Sequence, residues 1–155
     1  MQTLKRSILF LVALTFALAA TGCGPSAEEI YFTNLTPAIE EYNAAMNEVA
    51  EQFGAADSSS LEDPDWMDGT FAALDRLDAA GQVLASTPAD EVPEQWADLD
   101  NTLVQISEET TSFTTSMKAA LEAGDKDAML EALTGLDTVV QLFEQIKVEL
   151  SAAVP

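Results

Sequence analysis

The stretch "VPEQWADLDNTLVQISEETTSFTTSMKAALEAG", residues 92–124, carries core-compatible side chains at Val92, Trp96, Leu99, Leu103, Ile106, Thr110, Phe113, Met117 and Leu121. The steps between them are 4, 3, 4, 3, 4, 3, 4 and 4. A strand gathers alternate residues on one face, whereas a helix gathers residues three and four apart, so only a helix collects this set into a stripe. A helix with one apolar seam needs other elements to cover it. Gly124-Asp125 closes the stretch as a helix–helix junction should: glycine for the turn past the last helical residue, aspartate to cap the next helix.

The same pattern extends in both directions. Towards the C-terminus, Met129, Ala132, Leu136, Val139, Phe143, Ile146 and Leu150 form a fourth stripe, widened by Leu133 and Val140. Towards the N-terminus, "STPADEVP" (86–93) is a break, preceded by a stripe of Met67, Phe71, Leu74, Leu77, Gly81 and Leu84. Asp63-Pro64 supplies the N-cap and first residue of that helix. Gly81 on the stripe either admits a close neighbour or weakens the helix by up to ~1 kcal/mol. "GAADSSSLEDPDW" (54–66) is a further break, and before it Phe32, Leu35, Ile39, Tyr42, Met46, Val49 and Phe53 repeat at steps of 3 and 4. Pro37 lacks an amide proton, so this first helix either starts afresh there, with Thr36 as N-cap, or kinks. Strand signals are nearly absent. The reading is all-α, an antiparallel four-helix bundle over residues 28–155. Its last two helices are expected to be the longest, at about 30 residues or ~45 Å.

Composition excludes several classes of function. The 155 residues include 27 acidic and 6 basic ones and no histidine, for a net charge of −21 at pH 7. Such a surface repels phosphate backbones and anionic headgroups, so no nucleic-acid partner is expected. Without histidine there is no imidazole base, relay or metal ligand. A single cysteine makes neither an intrachain disulfide nor a thiolate zinc site. Carboxylates alone can run acid–base chemistry, but no local pattern marks such a pair. A non-enzyme without cofactor or metal is therefore expected. The acidity itself has two readings, a preference for basic partners or cations, and adaptation to a salty habitat.

The lone cysteine lies at the end of "MQTLKRSILFLVALTFALAATGC". Lys5 and Arg6 form a basic start, Ile8 to Ala20 an uncharged apolar run, and small residues follow, which is the layout of a secretory signal. The run is shorter than the roughly 20 residues of a permanent span. Ala20-Thr21-Gly22-Cys23 resembles the lipobox of bacterial lipoproteins, with Ala20 at a position that is most often Leu in that family. The resemblance implies a diacylglyceryl group on the Cys23 thiol, cleavage after Gly22, and usually a further acyl chain on the new amine. It divides the chain into a cleaved signal (1–22), a lipidated cysteine with a short tether (23–27) and the bundle. It also implies a location: the outer face of the plasma membrane, or, since Gly24 rather than Asp follows Cys23, the outer membrane of a two-membrane cell.

Three features of the bundle are candidate binding elements. "DSSSLEDPDWMD" (57–68) clusters carboxylates in a loop, where oxygen ligands can hold Ca²⁺, though the EF-hand spacing is missing; capping and loop solvation explain the same residues. Ser107–Ser116 is rich in hydroxyls, which either line a groove for a ligand or partner helix or bond carbonyls one turn back. Trp66 and Trp96, each near a helix start, are possible ligand or partner contacts or else close the ends of the core. The expected role is a membrane-anchored scaffold or binding protein acting with an envelope partner. The alternative is a cation- or small-ligand-binding lipoprotein using 57–68 or 107–116.

Overall fold

Ser26 opens the first helix. Its hydroxyl accepts a hydrogen bond from the Glu29 amide at 3.1 Å, and the Glu29 carboxylate accepts one from the Ser26 amide at 2.7 Å. This reciprocal capping box satisfies two amides at the start of α1 (Ala27–Ala55). The structure is a computed structural model that describes residues 24–57, 59–87 and 91–153. The expected signal segment (1–22), with the lipobox-like Ala20, Thr21 and Gly22, and Cys23 lie outside the described residues.

Helix α1 runs on through Pro37. Thr36 is not an N-cap: its hydroxyl turns back and donates to the Phe32 carbonyl at 2.8 Å. At 29 residues α1 is the longest helix, so the expectation that the last two would be longest fails. The cause is that the capping box and the packing of α1 carry it across a residue that removes only one helical bond.

The other helices begin and end largely where the sequence places the signals. Asp63 caps α2 (Pro64–Leu84) by accepting from the Asp65 amide at 3.0 Å, with Pro64 in the first turn. A single 3₁₀ turn, Glu94–Trp96, leads into α3 (Ala97–Ala123). Gly124 ends α3 with φ +62°, and the Asp125 amide returns to the Ala120 carbonyl at 2.9 Å. That left-handed conformation is the reason for glycine here. The Asp125 carboxylate then accepts from the amides of Asp127 and Ala128, opening α4 (Lys126–Ala153).

The described chain is all-helical, with no strand among the described residues. Helix α1 packs on α2, α2 on α3 and α3 on α4, and one apolar core draws on all four. Leu99, Leu103, Ile106, Thr110, Phe113, Met117 and Leu121 are buried along α3, as its stripe predicts. In α1 the buried line is Tyr31, Leu35, Ala38, Tyr42, Ala45 and Val49, while Phe32, Ile39, Met46 and Phe53 are half-buried beside it. Alanine allows close helix approach, which is why the buried line follows Ala38 and Ala45 rather than the bulkier residues. Leu133 and Val140 do not widen the buried stripe of α4. They are 37% and 41% exposed, with Leu130 and Val148 more exposed still. Among the described residues no helix is long and apolar enough to cross a membrane.

Candidate functional site

The two tryptophans are internal fasteners. The Trp66 indole donates to the Gln52 carbonyl at 3.2 Å, and its ring meets Phe53 edge-on at 6.2 Å, near the end of α1. The Trp96 indole donates to the Glu28 carboxylate at 2.9 Å, and its ring meets Phe32 edge-on at 4.9 Å, near the start of α1. Both polar handles are used within the chain, so neither indole N–H is left to bind a ligand. One turn further along, the Tyr31 phenol donates to Asp100 at 3.3 Å. Burial raises the Asp100 carboxyl above the ordinary carboxylate range, against the lowering effect of that hydrogen bond. Burial and the Asp100 charge both keep the phenol protonated.

Two carboxylates of the acidic loop, Asp57 and Asp63, are used by its own turns. The Asp57 carboxylate accepts from the Ser59 hydroxyl and amide, both at 2.8 Å, and these hold it below the usual range. Asp63 is the cap of α2. Among the described residues, no group of three or more Asp, Glu or Cys side chains is arranged to hold a metal ion.

The hydroxyl-rich stretch separates into two sets. Thr110 donates to the Ile106 carbonyl at 2.7 Å, Thr114 to the Thr111 carbonyl at 3.1 Å, and Thr111 to the Asp78 carboxylate on α2 at 2.6 Å. Among the described residues, Ser107, Ser112, Thr115 and Ser116 make no such bond. Of these, Ser112 and Ser116 face a groove of about 440 Å³ between α3 and α4, together with Glu109, Phe113 and, from α4, Ala128, Glu131, Ala132, Thr134 and Gly135. Among the described residues, Glu109, Ser112, Ser116 and Glu131 have no side-chain partner within the chain. The cation nearest in sequence on α3, Lys118, is held by Asp75 on α2. The groove thus presents carboxylates and free hydroxyls and is lined by no basic residue.

No protein-family model, curated protein or solved structure matches the chain. The site therefore rests on its own geometry.

The hydroxyl stretch supplies half of the groove. Sequence reasoning missed the half from α4. Ala128, Glu131 and Gly135 recur at steps of 3 and 4 along one edge of the apolar stripe of α4, a helical row that could have been noticed. Nothing in the sequence alone tells that this row lies across from Ser112 and Ser116. A second hollow of about 220 Å³, lined by Asn34, Ala38, Val83, Thr87 and Glu91 among others, is smaller and has one carboxylate, Glu91, in its lining.

Proposed function

We propose that this chain is an exported lipoprotein, tethered by acyl groups on Cys23, whose helical domain binds a partner or ligand without catalysing a reaction. The observation that carries the reading is the order basic start, apolar run, Ala20-Thr21-Gly22-Cys23, followed after three residues by a capped helix. Each buried methylene contributes about 0.8 kcal/mol, so two or three acyl chains hold a protein at a membrane where one does not. The tether is short, which keeps the domain near the lipid surface and its acidic faces turned from anionic headgroups.

The helices are arranged, in this reading, as an antiparallel four-helix bundle. Cross-helix pairs support it. Arg76 of α2 reaches Glu41 and Glu48 of α1, while Trp66, earlier in α2, reaches Gln52, later in α1. Asp78 meets Thr111 and Asp75 meets Lys118 in the same reversed sense between α2 and α3. Tyr31 with Asp100 and Tyr42 with Thr110 run in a common sense between α1 and α3.

The test is Cys23→Ser in the native host, followed by fractionation and by cross-linking from membranes. Release of the protein or retention of an uncut precursor, with loss of a recurrent cross-linked partner, is the expected outcome. A variant of normal mature size that stayed in the membrane would overturn the lipid anchor.

A further inference from the structure

We propose that the α3–α4 groove binds a linear polyamine, with one terminal ammonium at Glu109 and the other at Glu131. The inference deepens the binding role proposed above and rests on its antiparallel arrangement of α3 and α4. The register comes from Phe113 and Gly135: a Cβ placed on Gly135 would lie 3.9 Å from that of Phe113. Glu109 precedes Phe113 by one turn and Glu131 precedes Gly135 by one turn, so in antiparallel helices the two carboxylates fall on opposite sides of this contact. At 1.5 Å per residue they stand about 12 Å apart along the axes.

That separation decides the class of ligand. One small ion cannot be shared by carboxylates so far apart, since oxygen ligands sit within about 2.6 Å of a calcium ion. A flexible chain with a positive group at each end can reach both. Between the carboxylates, Ser112 and Ser116 offer hydroxyl oxygens with no partner among the described residues, which can accept from an inner ammonium. Ala132 and Gly135 give a shallow wall against which methylenes can lie.

The test is calorimetric titration of spermidine into the full chain, purified in a non-ionic detergent, at 150 mM NaCl. One saturable site per chain is expected. Glu109→Gln and Glu131→Gln should each weaken it about fivefold, the scale of one exposed ion pair. Glu51→Gln, an equal charge change on α1, should leave affinity unchanged, and butylamine, with a single ammonium, should bind more weakly than spermidine. Equal weakening by all three substitutions would mean diffuse counterion binding and would overturn the site. So would equal affinity for butylamine, an absence of saturation, or a dependence on Glu109 and Glu131 shown by a lysine-rich peptide and not by spermidine. Membrane retention is read separately on Cys23→Ser. A groove that fails to bind spermidine therefore leaves the anchored reading standing, and loss of the anchor leaves the titration interpretable.

Discussion

Thr110 shows how one residue can hold three helices together. It donates its single hydroxyl proton to the Ile106 carbonyl, so the Tyr42 phenol, 2.7 Å away, must be the donor in their contact. Burial pushes that phenol up to about 12, so it keeps its proton. With both bonds made, the Thr110 side chain has one rotamer, and its methyl is aimed at α2. Gly81 is the residue it meets: an added Cβ there would sit 3.2 Å from Thr110 Cγ2 and 3.3 Å from its Cβ. Gly81→Ala should therefore lower stability by about 1 kcal/mol, because overpacking of ~1–3 kcal/mol outweighs the ~1 kcal/mol gained in helix propensity. The check is a double-mutant cycle in thermal or urea unfolding. Thr110→Ser removes the methyl and keeps the hydroxyl, so Gly81→Ala in that background should cost less than in the parent. Equal costs in both backgrounds would put the strain elsewhere. Of the two roles the sequence offered for Gly81, the structure selects close approach. The sequence also placed Thr110 in the core stripe, yet the partners Tyr42 and Gly81 were not legible, since nothing local brings positions 42, 81 and 110 together.

At the scale of a helix, the legible parts were those with a local cause. Asp63-Pro64, Gly124-Asp125 and the buried line of α3 depend on neighbours three or four residues away, and each forms where its signal stands. Helix α1 differed because Pro37 is a local breaker overruled by packing. Tyr31 and Leu35 before it and Ala38 and Tyr42 after it all enter the same core, which keeps the two halves collinear enough to count as one helix. Proline still takes away the amide that would bond the Thr33 carbonyl. Pro37→Ala should restore that bond and stabilise the protein by about 1–3 kcal/mol, a change read as a rise in urea midpoint with unchanged slope. A fall would mean that the bend imposed by Pro37 is needed for α1 to follow the core. The stripe of α4 was over-read for a related reason: periodicity names the apolar face but not how wide a neighbour covers it, and Leu133 and Val140 lie past the covered edge. The groove was half legible on the same principle, with its hydroxyls marked by composition and its α4 wall defined only by packing.

For the molecule as a whole, charge is the dominant unsatisfied quantity. The chain carries −21, and among the described residues its basic side chains are mostly engaged: Arg76 with Glu41 and Glu48, Lys118 with Asp75, Lys147 with Glu144. These pairs are exposed, so each contributes little, and most carboxylates face only one another and solvent. Repulsion of this kind extends over a Debye length of about 10 Å at 0.1 M salt and about 3 Å at 1 M. Folding concentrates the charge, so added salt relieves the folded state more than the unfolded one. The melting temperature should rise by about 4 °C between 0.1 M and 1 M NaCl, the effect of roughly 1 kcal/mol on a domain of this size. Acid should act in the same direction at first. Asp100 has a folded-state pKa above its ordinary value, so the folded chain holds a proton there that the unfolded chain has already lost. Its contribution to stability therefore falls as pH rises through that window and is recovered as pH drops. Asp57, held below its ordinary value, has the opposite sign and loses its contribution only as pH falls through that lower value. A melting temperature that is flat in salt but rises in sub-saturating spermidine, with Glu109→Gln abolishing the rise, would assign the effect of cations to the groove. A rise in both, with the spermidine increment indifferent to Glu109, would assign it to the field of the whole surface.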